Sequence, residues 1–437
     1  MPAPILDVYV GGAPAGALTQ EGHHHVFTYF PNTPAERFVS LTMPVRLQSY
    51  VWPTLHPVFQ MNLPEGHQKD TLRRRFGPVA SVDDLSLLAL TGRRTIGRVQ
   101  VVAQGSALDA TEPALDLAAL LSSSDAQQRF LDYVEQGLAE GVSGVMPKSL
   151  ARTHDKAVVT TDQFVVKTGP FDVPGLALNE FLCLEVARRA GLDVPETQLS
   201  SDGNVLAVRR FDRASDGTML GLEDFCALEG LSPHEKYSGS MEDIAKLLDV
   251  YVNEGFLTPS RERFLRLALV NYALHNADAH LKSYALLYSS TSDVRLAPVF
   301  DIVTVTAYPE FKQDLPALTL YGKKTWGAGA WLARYAAQWL KLNNPTAKRG
   351  VDAVSQAIRE VAPSVQRYAQ QYEWFRKTAK RMLDAWDAGL GGIRPTAKSA
   401  VGIDGLREQF GLSDDKRIKR KRSPYANRDG AFSRKSR

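Results

Sequence analysis

The first hundred residues alternate between apolar and polar side chains in short stretches separated by glycine and proline. Residues 5–10, 26–30 and 97–102 are such stretches. Alternation with a period of two predicts strands with one buried face, and glycine or proline between them predicts turns. We therefore expect a β-rich unit at the beginning of the chain, with one short helix over residues 85–90.

The middle of the chain has a mixed pattern. Residues 156–161 and 163–167 indicate the two strands of a hairpin, and residues 205–211 indicate one more strand. Between them, apolar side chains recur at intervals of three and four positions over 178–190, which predicts a helix that stops at Gly191.

Helical patterns cover residues 118–140 and, apart from an irregular insertion at 279–324, most of residues 241–386. The order is therefore β-rich, then mixed, then helical, which predicts an α+β protein. We divide the chain into a β-rich N-terminal subdomain (1–108), a mixed lobe (109–240), a helical lobe (241–400) and a basic, flexible tail (401–437).

Composition narrows the class of protein. Of the 437 residues, 44% are hydrophobic and 23% are charged, which is typical of a globular protein of two or three domains. Two cysteines are too few for a disulfide framework or a four-thiolate zinc site. No apolar run reaches the length of a membrane span and the chain starts without a basic leader, so we expect a cytoplasmic protein without membrane contact.

Positive charge is concentrated near the end of the sequence. Residues 416–437 carry ten Lys or Arg side chains against one acid, Asp429, although the whole chain has a formal charge of only +4. Such a block is typical of a solvated, flexible end, and also of a segment that contacts a nucleic acid or another polyanion. The sequence leaves both interpretations open.

Two carboxylates lie on predicted loops at the ends of elements. Asp278 follows an apolar-periodic helix, and Asp301 comes after a predicted hairpin that returns the chain towards its start. Phosphoryl transfer needs a carboxylate for magnesium, another for the proton of the nucleophile, and a lysine for the phosphates. Asp301, Asp278 and the strand residue Lys167 are candidates for these roles, with Glu180 in the next helix as the partner of Lys167.

Further candidates flank these residues. A glycine loop at 141–148 precedes the hairpin, where its backbone N–H groups would cover phosphates. His280 is expected to orient the loop that carries Asp278 through hydrogen bonds, and Lys282 either neutralises the transferred phosphoryl group or lies in solvent. Taken singly, these features also fit a plain turn, a surface lysine and a helix cap, so their order along the chain is the stronger signal.

Short motifs run in a fixed order through residues 5–305. They include Gly144-Val-Met-Pro-Lys148, Val165-Val-Lys167, Val208-Arg-Arg-Phe-Asp-Arg213, Glu223-Asp-Phe-Cys226, residues 276–282 and residues 296–301. With the order of the candidate parts, these motifs make the chain resemble the HipA-type serine/threonine kinases, the toxins of bacterial HipBA toxin–antitoxin pairs. The resemblance implies a bilobal, protein-kinase-like α+β fold with a β-rich N-terminal subdomain and a mainly helical C-terminal lobe.

The resemblance also implies ATP and Mg²⁺ as cofactors. Members of the family phosphorylate themselves on a serine of the glycine loop, and Ser143 is the candidate here because Gly141 occupies one usual position. The expected site residues are Asp278, His280 and Lys282 for catalysis, Lys167, Glu180, Gly144, Val145, Lys148, Arg209 and Phe211 for the nucleotide, and Asp301 and Ser283 for the metal.

The partners implied by the resemblance are a protein substrate such as an aminoacyl-tRNA synthetase, a HipB-like helix-turn-helix antitoxin, and operator DNA through that antitoxin.

One departure from the family pattern puts catalysis in question. Ser283 stands where the family has an asparagine as second metal ligand, and magnesium tolerates a misplaced ligand poorly. The alternative hypothesis is a nucleotide-binding pseudokinase that acts as a binding module with an antitoxin and DNA.

Overall fold

A computed structural model describes residues 4–63, 83–108, 115–140, 148–150 and 154–394. Three antiparallel sheets and a large helical region make up these residues. The two larger sheets lie in the first half of the chain and helices dominate the second half, in agreement with the α+β prediction.

The first sheet has the strand order β4-β3-β2-β1-β5, and every neighbouring pair is antiparallel. The predicted alternation is present, because Leu6, Val8 and Val10 are buried and the residues between them are only partly buried. Two helices pack against this sheet and close its apolar core. The elements are β1 Leu6–Val10, β2 Ala13–Glu21, β3 His24–Tyr29, β4 Tyr50–Trp52 and β5 Val99–Ala103, with helices Pro57–Gln60 and Asp84–Thr91.

The second sheet has the order β6-β7-β8-β10-β9 and contains the predicted hairpin, in which Val158 of β7 lies opposite Lys167 of β8. The helix that follows β8 ends before Gly191, whose φ of 77° is the left-handed conformation that favours glycine there. The elements are β6 Lys148–Leu150, β7 His154–Thr160, β8 Phe164–Thr168, β9 Thr197–Leu199 and β10 Val205–Arg209, with helices Leu117–Ser122, Ala126–Glu140 and Leu176–Arg189. The single helical pattern predicted over 118–140 is thus divided between two helices.

The third sheet is small and has the order β11-β12-β13. Its strands lie among the helices of the second half of the chain, so the hairpin predicted between Asp278 and Asp301 is present as β12 and β13. The elements are β11 Gly221–Asp224, β12 Ala285–Tyr288 and β13 Arg295–Leu296, with helices Phe225–Leu228, Met241–Tyr251, Glu254–Ala273, Gly329–Gln338, Asn344–Gln371 and Arg376–Gly392.

A buried ion pair just after β10 is hydrogen-bonded to the segment that leads into β5. Arg210 Nη2 lies 2.5 Å from Asp212 Oδ2, and both side chains are almost fully buried. The same carboxylate oxygen accepts a hydrogen bond from Gly97 N at 2.7 Å, and Arg210 donates to Thr95 O. Burial would raise the pKa of Asp212, but the hydrogen bond and charge of Arg210, with help from Arg213, hold it below its usual value.

A second buried carboxylate, Glu223 in β11, joins the first sheet to the third. It accepts hydrogen bonds from Ser40 Oγ at 2.6 Å, Leu41 N at 2.7 Å and the Tyr288 hydroxyl at 2.5 Å. These donors are neutral, and burial raises the pKa of Glu223. The two carboxylates therefore attach the N-terminal β-rich region at two separate places, the segment before β5 and the connection between β3 and β4.

Some predictions fall outside the described residues: most of the glycine loop, with Ser143, Gly144 and Val145, and the basic segment 416–437. The division of the chain into four parts stays a prediction. Within the described ranges, no helix is long and apolar enough to cross a membrane.

Candidate active site

Lys167 lies near the end of β8 and is buried between two carboxylates. Its Nζ is 2.6 Å from Glu180 Oε1 and 3.0 Å from Asp301 Oδ1. Burial alone would lower the pKa of Lys167, but the charges of Asp301 and Glu180 and the hydrogen bonds to both outweigh it and raise the pKa. We call these three residues the lysine cluster. Its ammonium group stays charged at any physiological pH.

Glu180 is fixed by the helix that carries it. Asn179, its neighbour in helix Leu176–Arg189, donates from Nδ2 to Thr304 O and accepts from Thr304 N at its Oδ1, at 3.1 and 2.9 Å. Because Thr304 follows Asp301 by three residues, this pair of hydrogen bonds ties the helix of Glu180 to the loop of Asp301. The contact between Lys167 and Glu180 that the sequence suggested is present.

Asp301 has a φ of 59°, in the left-handed region that residues other than glycine seldom adopt. Its side chain is 30% exposed, whereas the Glu180 side chain is 2% exposed. Strained backbone of this kind persists where the surrounding structure fixes it, and it is concentrated at functional sites. Asp301 is therefore the carboxylate of the lysine cluster that remains accessible to a ligand.

Asp278 lies in a second group of residues, which we call the aspartate cluster: Tyr237, Asp278, His280 and Ser283. The Tyr237 hydroxyl donates to Asp278 Oδ1 at 2.6 Å, and His280 Nε2 is 4.0 Å from the same oxygen. Ser283 Oγ donates to the backbone carbonyl of Asp278 at 3.1 Å and lies 3.0 Å from His280 Nδ1. Hydrogen bonds between neutral groups and one carboxylate thus hold the cluster together.

The loop of Asp278 begins at His275, which has a φ of 52°. The His275 ring stacks on Trp326, with centroids 4.5 Å apart, and burial lowers its pKa to about 4. Next in the chain, Asn276 accepts from Asp278 N through Oδ1 and donates to Asn271 Oδ1. These contacts determine where the chain leaves helix Glu254–Ala273, and so where Asp278 lies.

A cleft of about 770 Å³, counted with its open mouth, lies beside the lysine cluster. Its charged part contains Lys167, Asp301, Asp224 and Lys282, and its apolar part includes Val165. A few charged side chains beside an apolar surface are typical of a site for a small organic ligand. Met61, Asn62 and Ile96 bring the first unit to the same cleft, where Lys282 Nζ donates to Met61 O at 3.2 Å.

Residues 209–212, at the end of β10 and directly after it, also line the cleft. Phe211 stacks on Phe300, with centroids 5.8 Å apart, next to Asp301. The Arg209 guanidinium instead pairs with Glu196 at 2.7 Å. Phe211 therefore offers the cleft an aromatic surface, whereas the Arg209 guanidinium is engaged by Glu196.

Two known domain families match separate stretches of the chain. The HipA-like C-terminal domain family matches residues 141–369, more than half of the chain, and the HipA N-terminal domain family matches residues 6–102. The chain belongs to the HipA-like family.

Relatives of this HipA-like chain cover most of its length. A Sinorhizobium fredii protein named "putative kinase Y4dM" is 28% identical over 427 residues, which is 86% of this chain and 99% of that protein. The serine/threonine-protein kinase toxin HipA of Shewanella oneidensis is 26% identical over 285 residues, 59% of this chain and 65% of that toxin.

A solved structure confirms the fold class. HipA of Shewanella oneidensis, solved with HipB and its operator DNA, superposes with a TM-score of 0.66 at 18% identity and covers 91% of this HipA-like chain and 100% of its own. The bilobal, kinase-like α+β fold that the sequence resemblance implied is therefore present.

Most of the predicted site residues fall into one of the two clusters or the cleft. The described residues that line the cleft do not include Asp278, whose loop reaches the cleft through Lys282. Only the backbone of Lys148 is described, as the start of β6. The roles of all these residues stay predictions.

Sequence reasoning missed Tyr237, Asp224 and Met61. Asp224 lines the cleft and caps the helix Phe225–Leu228 through Ala227 N. It belongs to the Glu223-Asp-Phe-Cys226 motif, so a signal was present without a role attached. Tyr237 contacts Asp278, which follows it by 41 residues, and Met61 contacts Lys282, which follows it by 221 residues. No local sequence pattern marks contacts between residues so far apart in the chain.

Proposed function

We propose that this HipA-like chain is an ATP- and Mg²⁺-dependent protein serine/threonine kinase of the toxin type. The observation that carries the proposal is the lysine cluster: a buried strand lysine between a helix carboxylate and an accessible loop carboxylate, beside a cleft with charged and apolar lining. A charged lysine fixed in this way is suited to bind phosphate oxygens. The Shewanella relative is itself named a serine/threonine-protein kinase toxin.

The residues in the cleft fit a magnesium nucleotide. Asp301 and Asp224 supply hard carboxylate oxygens, and Lys167 and Lys282 supply positive charge for phosphates. The adenine ring of ATP would lie between Val165 and Phe211. A bound Mg²⁺ neutralises charge on the phosphates. We assign Asp301 as its protein ligand, with the second-ligand role of Ser283 as a further prediction.

Asp278 is the proposed base. Its carboxylate accepts the proton of the acceptor hydroxyl while that oxygen bonds to the γ-phosphorus of ATP and the bond between the γ-phosphorus and the leaving ADP oxygen breaks. His280 and Ser283 keep the loop in place, and Lys282 balances charge on the transferred group. Gly144, Val145 and Lys148 are proposed to cover the phosphates.

Intact-mass analysis of the protein after incubation with ATP and Mg²⁺ tests the proposal. We expect the wild type to gain the mass of one or more phosphates, and Asp278→Asn to gain at least about 100-fold less in the same time. Asp216→Asn is the matched control, because Asp216 is exposed and lies outside the site. Wild-type protein that arrives unphosphorylated and stays so, alone and with a protein acceptor, contradicts kinase activity.

One observation favours a second candidate, the nucleotide-binding pseudokinase. The Ser283 hydroxyl is already engaged by the Asp278 carbonyl and His280. A magnesium titration of ATP binding separates the candidates. Tighter binding of ATP with Mg²⁺ supports the kinase, and metal-independent binding supports the pseudokinase.

Partners follow from the same proposal. We propose a HipB-like antitoxin and operator DNA bound through it, because the Shewanella structure contains HipA with HipB and operator DNA. A translation-related protein such as an aminoacyl-tRNA synthetase is the proposed substrate, Ser143 the proposed autophosphorylation site, and the cytoplasm the proposed location. Contact of residues 416–437 with a polyanion is tested by truncation before Lys416 and by polyanion affinities measured over a series of salt concentrations. If truncation leaves the dependence of affinity on salt unchanged, the contact is contradicted.

A further inference from the structure

The proposed phosphoryl transfer assigns no role to Tyr237, although its hydroxyl lies 2.6 Å from Oδ1 of Asp278, the proposed general base. We propose that Tyr237 is a positioning residue that holds Asp278 Oδ1, so that Oδ2 of the same carboxylate faces the acceptor hydroxyl. The proposal deepens the proposed kinase function and rests on it.

The segment that carries Tyr237 is fixed against the loop of Asp278. Lys236 O accepts a hydrogen bond from Leu281 N at 3.1 Å. Gly239 packs so closely on Leu281 that a Cβ at position 239 would lie 2.8 Å from a Leu281 methyl carbon. Capping boxes flank the segment on both sides, Ser232 with Glu235 and Ser240 with Asp243. The hydroxyl is therefore held in place before any substrate arrives.

The aromatic ring contributes a second restraint. It meets the His280 ring edge to face, with centroids 5.1 Å apart. This contact fixes the ring independently of its hydroxyl, so removal of the oxygen alone leaves the packing of Tyr237 in place. The contribution of the hydroxyl is thus separable by substitution.

The two oxygens of Asp278 differ in their surroundings. Oδ1 accepts from Tyr237, while His280 Nε2, at 4.0 Å, is too far for a hydrogen bond. Oδ2 has no hydrogen-bond partner among the described residues, and the Asp278 side chain is 12% exposed. A carboxylate held at one oxygen cannot turn freely about its Cβ–Cγ bond. A general base must meet its proton within hydrogen-bond distance, so this restraint favours transfer at Oδ2.

The variant Tyr237→Phe removes the hydroxyl and keeps the ring. Tyr321→Phe is the matched control, because the Tyr321 hydroxyl donates to Gln338 at the surface, outside the site. Both variants and the wild type are assayed with ATP and Mg²⁺ for transfer to casein and to the chain itself. We expect Tyr237→Phe to lower kcat roughly tenfold, with KM for ATP and the thermal midpoint unchanged, because one hydrogen bond to a charged group is lost. The control keeps wild-type values.

Four outcomes overturn the proposal. One is a Tyr237→Phe variant with wild-type kcat beside an active wild type. Another is a fall in kcat that is accompanied by a lower thermal midpoint or a higher KM, which indicates packing alone. Phosphate found on Tyr237 by peptide mapping would make the phenol an acceptor. A wild type that transfers no phosphate to either acceptor contradicts the kinase function itself, a result distinct from the other three.

Discussion

The lysine cluster and the aspartate cluster are built in opposite ways. Lys167 and Asp301 are 134 residues apart, and charge holds them together with Glu180. Asp278, His280 and Ser283 lie within six consecutive residues, and hydrogen bonds of a single loop hold them, with Tyr237 as the distant member. The first cluster depends on the packing of lobes, the second on the shape of a loop.

This difference predicts that the two clusters respond differently when a substitution removes one of their members. A buried ion pair that loses one partner leaves an uncompensated charge, whereas a loop that loses one hydrogen bond keeps its others. Disruption of the lysine cluster should therefore affect both stability and chemistry. Disruption of the aspartate cluster should affect chemistry with a small effect on the fold.

The largest effect is expected from Lys167→Met. Glu180 would be left buried opposite Asp301, so the free energy of unfolding should fall by about 3 kcal/mol. Phosphate transfer should fall roughly 100-fold, because the phosphates lose their buried cation. Chemical denaturation and intact-mass kinetics measure the two effects.

The double variant Lys167→Met with Glu180→Leu sharpens this test. An apolar pair of similar volume often replaces a buried ion pair at little cost, so we expect most of the stability to return. Phosphate transfer should stay low. Recovery of transfer together with stability would mean that the lysine cluster is structural only.

A smaller effect is expected at the start of the Asp278 loop. His275 has a pKa of about 4 in the folded protein against 6.5 in the unfolded chain. Between these pH values the unfolded state binds more protons, so the free energy of unfolding falls as pH drops from about 6.5 to 4. For one partly buried histidine we expect about 2 kcal/mol over that window.

His275→Asn isolates this contribution, because asparagine tolerates the left-handed φ and does not titrate in the window. The variant loses the stacking on Trp326 and should be less stable at pH 7. Its stability should also depend less on pH than that of the wild type. Unfolding curves between pH 4 and 7 decide the matter, and parallel pH profiles would contradict a buried, neutral His275.

The smallest effect is expected from Ser283→Ala. The hydroxyl that is lost joins the Asp278 carbonyl and His280, so transfer should slow about fivefold with little change in stability. The Mg²⁺ concentration for half-maximal rate should rise, because the proposed second metal ligand is lost. A concentration within about twofold of the wild-type value would contradict the metal-ligand role of Ser283.

Elements with a regular hydrophobic pattern could be predicted from the sequence. The hairpin of β7 and β8 and the helix after it follow from alternation and from three-four spacing, and their order brought Lys167 and Glu180 together. Strand β11 could not be predicted, because its four residues, Gly221–Asp224, have no alternation to recognise. It exists because β12, some 60 residues later, pairs with it.

Tyr237 could not be predicted for a related reason. It lies outside any periodic pattern, and helices Met241–Tyr251 and Glu254–Ala273 separate it from Asp278 along the chain. The left-handed backbone of His275 and Asp301 was equally hidden, because neither residue type signals it as glycine does. Motifs indicated which residues matter in this chain, while tertiary packing determines their partners.

The buried hydrogen bonds of Asp212 and Glu223 affect how the two family-matched stretches can evolve. Separate family models match residues 6–102 and 141–369. Asp212 and Glu223 lie in the second, yet they take donors from Gly97, Ser40 and Leu41 in the first. Recombination between homologues at this boundary would separate buried acceptors from their donors. The two stretches should therefore pass from ancestor to descendant as one unit, and substitutions on either side should be compensated on the other.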